Sequence, residues 1–126
     1  MLELERIRAT RVAANPTALD AVRWPAGILV LRTAPDEALA IPTCAPEVSD
    51  PDAIVEIEHG FSGVWVSVED VHSLLERDCE WKAPAERPAL AQGLIAEIPA
   101  KIWLEQERAL LLVPAPYATE FEERIS

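Results

Sequence analysis

Two stretches of this chain, residues 53–77 and 100–124, run through the same order of elements: strand, turn, strand, helix. That order constrains the fold strongly. Two short strands joined by a turn make a hairpin, and an amphipathic helix after them covers one face. Ile54-Val55-Glu56-Ile57-Glu58 is rich in β-branched residues and stops at His59-Gly60. Phe61-Ser62-Gly63 reads as a glycine-bearing turn. Val64 and Val66 then share one face of a second strand, with Trp65 on the other. Ser67 precedes Asp70 in a capping-box pattern, and Val68, Val71, Leu74 and Leu75 follow at helical spacing, which predicts a helix ending near Asp78. In the second stretch Ile102 and Leu104 alternate with Lys101 and Trp103, Glu105-Gln106-Glu107 turns the chain, and Ala109 to Val113 returns as a buried run. Pro116 suits the first turn of a closing helix, with Tyr117, Phe121 and Ile125 on one face of it. Both stretches end in Glu-Arg, and a repeated ββα unit is the reading.

The rest of the chain is less regular. Residues 1–25 mix Leu2, Leu4 and Ile7 with charges and read as an N-terminal arm, broken at Asn15-Pro16-Thr17. Ile28-Leu29-Val30-Leu31, the turn Ala34-Pro35-Asp36-Glu37 and the return strand Ala38 to Ile41 form a hairpin. Pro42 to Pro51 is a loop. Pro84, Pro88 and Pro99 confine any helix in the next segment to residues 89–95. The expected fold is α+β, an antiparallel sheet of hairpins with two or three helices, in a single domain over residues 26–126.

Composition limits the function classes. The chain has 126 residues, and its 22 acids against 11 bases give a formal charge of −11. A nucleic-acid or anionic-membrane surface needs clustered cations, so neither partner is expected. An acidic face that docks on a basic protein remains open beside plain solubility. The N-terminal sequence alternates Glu and Arg and reads as neither a signal nor a transit peptide, so a cytoplasmic location is expected. Cys44 and Cys79 are expected to be free, buried thiols.

Few residues pattern as chemistry. Cys79 with His59 or His72 would need spatial contact to serve as a nucleophile–base pair. Glu56 and Glu58 fall on one strand face and His59 on the other, so a metal cluster is not expected. The four glycines form no phosphate loop, so no nucleotide cofactor is assigned to this chain. Of the four tryptophans, Trp65 and Trp103 read as core, while Trp24 and Trp81 flank turns and are candidates for an interface.

An ordered set of short motifs resembles the gamma subunit of heterotetrameric sarcosine oxidases, within the GcvT-like, folate-binding aminomethyltransferase superfamily. Val30 to Leu39 resembles that family's first hairpin, and Glu56-Ile57-Glu58-His59-Gly60 its Asp-x-Ser-His-Gly element, with His and Gly kept and Glu in place of Asp and Ser. Ser67 with Asp70 resembles the turn into a helix, and Asp78-Cys79 stands where that helix ends in Gly-Cys. Ala91-Gln92, Ala96, Ile98-Pro99, Trp103 and Val113-Pro114-Ala115-Pro116-Tyr117-Ala118 complete the series. The resemblance implies a GcvT-like fold and a non-catalytic accessory subunit. Its partners would be larger alpha and beta subunits carrying FAD or FMN, NAD and tetrahydrofolate, acting on sarcosine-type amines. His59, Gly60, Trp81, Val113 and Tyr117 are the interface residues expected on this reading. A stand-alone folate-binding-like domain of the iron–sulfur assembly type and a small regulatory binding module stay open.

Overall fold

The computed structural model describes residues 2–126. Its nine strands, all paired antiparallel, form two sheets among the described residues, with three α-helices, so the class is α+β. The chain divides into two compact units. One is Ile7–His59; the other takes in the described N-terminal residues up to Arg6 together with Gly60–Ser126.

The larger unit is built on a five-stranded sheet in the order β1-β6-β9-β8-β7. Its strands are β1 (Glu5–Arg6), β6 (Phe61–Ser67), β7 (Ala89–Ile95), β8 (Ile98–Leu104) and β9 (Arg108–Pro114). Helices α2 (Val68–Asp78) and α3 (Ala118–Ile125) follow β6 and β9, the latter after a 3-10 turn over Ala115–Tyr117. Ser67 caps α2 as its sequence predicts, its Oγ accepting the Asp70 N–H at 3.1 Å. Val71, Leu74 and Leu75 of α2 and Phe121 and Ile125 of α3 pack with Ile95, Ile102, Leu104 and Leu111 of the sheet in one core. This is the α+β solution for a sheet with one apolar face: helices remove that face from water.

The smaller unit has a four-stranded sheet in the order β3-β4-β2-β5. Its strands are β2 (Ala9–Ala13), β3 (Leu29–Ala34), β4 (Glu37–Ile41) and β5 (Ile54–Glu58), with one short helix, α1 (Pro16–Asp20). Asn15 caps α1, its Oδ1 accepting the Ala18 N–H at 2.8 Å. The expected β3–β4 hairpin is present, with Val30 opposite Ala40, Leu31 opposite Leu39 and an irregularity between Arg32 and Ala34.

Four expectations are corrected. Residues 1–25 are not an arm on a single domain: β2 is an interior strand, paired with both β4 and β5, and β1 belongs to the other sheet. The repeated ββα unit exists only as an order of elements. β8 and β9 do form a hairpin before α3, but β5 and β6 belong to different sheets and make no hairpin. Gly63 lies within β6 opposite Leu112 and is not a turn residue. It is glycine for space, since a Cβ there would lie 2.6 Å from Leu112 Cδ2 and 3.0 Å from the Leu111 carbonyl oxygen. Finally, residues 89–95 are strand β7, not helix, zipped to β8 from Ala89↔Leu104 to Ile95↔Ile98. The two-residue turn between them, Ala96-Glu97, has φ of 51° and 66°, as a hairpin turn of left-handed residues requires. Two hydrogen bonds secure that conformation: Ala96 N–H donates to Asp78 O at 2.8 Å, and Arg124 Nη1 donates to Ala96 O at 2.6 Å.

Candidate functional site

No group of three or more His, Cys, Asp or Glu side chains that could hold a metal ion occurs among the described residues. Cys44 and Cys79 are both free and half-buried. Burial raises the Cys44 thiol pKa above its ordinary value. Cys79 directs its Sγ to the Trp81 carbonyl oxygen at 3.3 Å, and though His72 lines the same groove, the thiol's partner is that carbonyl. Glu56 is held by Arg11 Nη1 at 3.0 Å, a structural pair across neighbouring strands. No helix among the described residues is long and apolar enough to cross a membrane.

Shaped surface concentrates instead around Trp81 and Leu94 in the larger unit. Trp81 follows the C-terminus of α2, and its indole packs against β7 at Gly93. A Cβ on Gly93 would sit 2.6 Å from the indole Nε1, so glycine is what lets the ring approach the strand. The indole N–H donates to the Leu94 carbonyl at 2.9 Å, which fixes the ring in orientation. Leu94 itself points outward and is 56% exposed. A cavity of about 410 Å³ runs between Trp81, Leu94 and Ala96, with Asp78, Glu80 and Glu97 on its rim. Asp78 there receives Arg77 Nε at 2.8 Å.

Leu94 also borders a second cavity of about 360 Å³ on the sheet face. Phe61, Pro99, Leu112 and Pro114 supply its apolar walls. Lys101 Nζ stands 5.7 Å from the Phe61 ring centroid and donates to Gln92 Oε1 at 2.5 Å. The two cavities meet only at Leu94: Trp81 lies on the helix side of β7, where Gly93 and Ala100 face, and the second cavity lies on the opposite sheet face, so each is an apolar hollow with charged residues beside it.

The five residues singled out by sequence fall unevenly on this surface. Trp81 is half-buried and central to it. Tyr117 is 46% exposed, in the turn that follows Pro114. Gly60 is exposed and its carbonyl accepts the Ala115 N–H at 2.7 Å, which joins it to the Val113–Tyr117 segment. His59 is exposed as the last residue of the smaller unit. Val113 is a correction: it is fully buried in the core of the larger unit, because its position in β9 faces the helices. Leu94 and Phe61 were missed, since a stretch expected to be helical and a stretch expected to be a turn gave no face on which to place them.

Trp65 and Trp103 are also corrected. Both sit opposite Leu110 on the sheet face away from the helices, where Trp65 is 40% exposed. Arg108 covers Trp65, its guanidinium 3.8 Å from the ring centroid, and donates to Glu105 Oε1 at 2.9 Å. Trp103 donates to Glu105 Oε2 at 2.9 Å. The Arg108 hydrogen bond, then that of Trp103, holds the Glu105 carboxyl pKa below the usual carboxylate range.

Comparison of the chain with protein-family models, curated proteins and solved structures found no match in any of the three.

Proposed function

We propose that this chain is a non-catalytic accessory subunit of a hetero-oligomeric, flavin-dependent amine oxidoreductase of the sarcosine-oxidase type, with a GcvT-like fold. The reading rests on the ordered motif resemblance, and the surface around Trp81 and Leu94 is the observation that carries it. Exposed apolar side chains bordered by carboxylates suit a partner whose contact surface is apolar and basic at its edge. On this reading the partner is the folate-binding-like large subunit, and flavin, NAD and tetrahydrofolate belong to the larger chains. The assembly works in the cytoplasm on secondary or N-methylated amino acids.

Gentle affinity purification of the tagged protein from its native cells, with native mass and visible absorbance recorded, tests the reading. A large assembly with a flavin spectrum is expected. A colourless monomer or small homo-oligomer would overturn it, and tetrahydrofolate binding by that particle would establish a stand-alone folate-binding domain instead. Trp81→Ala and Tyr117→Ala should weaken assembly while leaving the free protein folded. Unfolding of either variant would make that residue a core residue and remove it from the docking surface.

A further inference from the structure

Strand β5 is the edge of the four-stranded sheet and pairs only with β2, from Ala9↔Glu58 to Ala13↔Ile54. Three of its five residues are large β-branched hydrophobics open to water: Ile54 is 53% exposed, Val55 46% and Ile57 53%. Folded proteins blunt such edges with proline, lysine, a bulge or a covering element. Here the ladder to β2 is regular, and Ile54-Val55-Glu56-Ile57-Glu58 holds no proline, glycine or lysine. Its outer row of backbone donors and acceptors meets no other strand among the described residues.

We propose that β5 is a strand-addition site for an extended segment of another protein in which cationic residues alternate with β-branched or aromatic ones. Side chains of β5 alternate between the two sheet faces, Ile54, Glu56 and Glu58 on one and Val55 and Ile57 on the other. Cross-strand pairing rewards opposite charges and β-branched or aromatic neighbours, so the carboxylate face selects Lys or Arg and the Val55–Ile57 face selects an apolar side chain. Arg11 already balances Glu56, which leaves Glu58 as the carboxylate most able to choose a cation. The formal charge of −11 attracts the same class of segment from a distance. A second copy of this chain is the poorer occupant. Full-length antiparallel self-pairing sets Glu56 opposite Glu56, and both copies carry the same excess of acid. Main-chain hydrogen bonds supply the attachment and the alternating side chains supply the choice, as in other strand-addition sites. The strand lies in the smaller unit, and its chemistry holds whichever enzyme the Trp81 surface meets.

The test uses the full chain and three synthetic six-residue peptides: alternating Lys and Val, alternating Glu and Val, and the Lys–Val peptide with two valines replaced by proline. Binding is read by fluorescence anisotropy at two salt concentrations, and its location by amide hydrogen exchange. The Lys–Val peptide should bind, slow exchange within Ile54–Glu58, and lose binding on proline replacement. Glu58→Lys should weaken it by about fivefold, the size of one reversed cross-strand pair. Ile57→Lys, at an exposed edge position, should abolish the exchange protection with the fold intact. Equal binding of the proline peptide, or protection that maps outside β5, would reduce the effect to general attraction by an acidic protein and overturn the proposal. A concentration-dependent dimer lost in Ile57→Lys would overturn it in favour of a second copy.

Discussion

The two units of this chain bury apolar surface with different side chains. The larger unit packs Phe121, Ile95, Ile102, Leu104 and Leu111 between its sheet and two helices. The smaller unit's helix-side cluster is Val12, Ala14, Ala18, Leu19 and Ala38, and its sheet also buries Leu31 and Leu39. A fully buried leucine or phenylalanine contributes about 1.5–3 kcal/mol, whereas an alanine offers one methyl group. The smaller unit compensates with polar ties. Thr10 Oγ1 both donates to Cys44 O and accepts from Cys44 N, each at 3.0 Å. Asp50 receives the Asn15 N–H at 2.8 Å, and Arg11 bridges Glu37 and Glu56 across β2. The lesson concerns where function can sit. In the larger unit two helices cover one face of the sheet, whereas the smaller unit has a single one-turn helix and an edge strand, β5, that pairs with no further strand among the described residues.

The most severe break of that contrast comes from Phe121→Ala. Phe121 is fully buried, and truncating it should cost about 3–5 kcal/mol in chemical denaturation. Leu19→Ala in the smaller unit should cost about 2 kcal/mol, the low end for a leucine, because its cluster is small, Val12 with three alanines, and is flanked by the partly exposed Trp24, Val30 and Val48. Equal costs would erase the distinction between the two cores. Gly63→Val comes next. Its new side chain meets Leu112 and the Leu111 carbonyl, so overpacking should cost about 1–3 kcal/mol, read by the same denaturation midpoint. A neutral result would show that β6 and β9 separate easily and that the larger unit is looser than its packing implies.

Thr10→Val sharpens the other side of the comparison. The hydroxyl is buried and serves Cys44 as both donor and acceptor, so its removal should cost about 1–2 kcal/mol, with lost amide protection at Cys44. Protection of the β8 and β9 amides should be unchanged. If those amides lose protection equally, the two units unfold as one and the polar ties are not local to the smaller one.

Much of this architecture was legible because apolar spacing and turn residues agree locally. The β3–β4 hairpin, the Ser67 cap and the α2 face of Val71, Leu74 and Leu75 all follow from residues within a few positions of each other. What was hidden depends on distant pairing. Ala-Leu-Ala-Gln-Gly-Leu-Ile has the composition of a helix, and it becomes β7 because β8 supplies a full ladder and the turn at Ala96-Glu97 is held by Asp78 and Arg124. Ala-Thr-Arg-Val-Ala gave no strong period, yet β2 is interior because β4 and β5 both pair with it. Trp81 was legible as an interface candidate from its place beside a turn. Its partner Leu94 was not, because only the strand pairing of β7 reveals which side chains face outward. Likewise β5 could be read as a strand, but its position at a sheet edge follows from the topology alone.

The smallest effect expected is a pH dependence confined to the smaller unit. The Asp50 carboxylate accepts the Asn15 N–H and then that of Asp52, at 2.8 and 2.9 Å, and these bonds hold its pKa below the ordinary aspartate value. A carboxyl with a lower pKa in the folded state binds its proton more readily when unfolded, so stability rises with pH across that interval. The contribution is complete above the unfolded pKa and is lost as pH falls through the folded one. The carboxylate is open to solvent, so the effect is small and salt-sensitive. Asp50→Asn should therefore lower Tm slightly at neutral pH and leave it unchanged once the wild-type carboxyl is protonated. Amide exchange at Asn15 and Asp52 should follow the same titration, while the core amides of β9 should not. A pH response of equal size in both units would show that Asp50 reports a global charge effect, and would remove this tie from the account of how the smaller unit is held together.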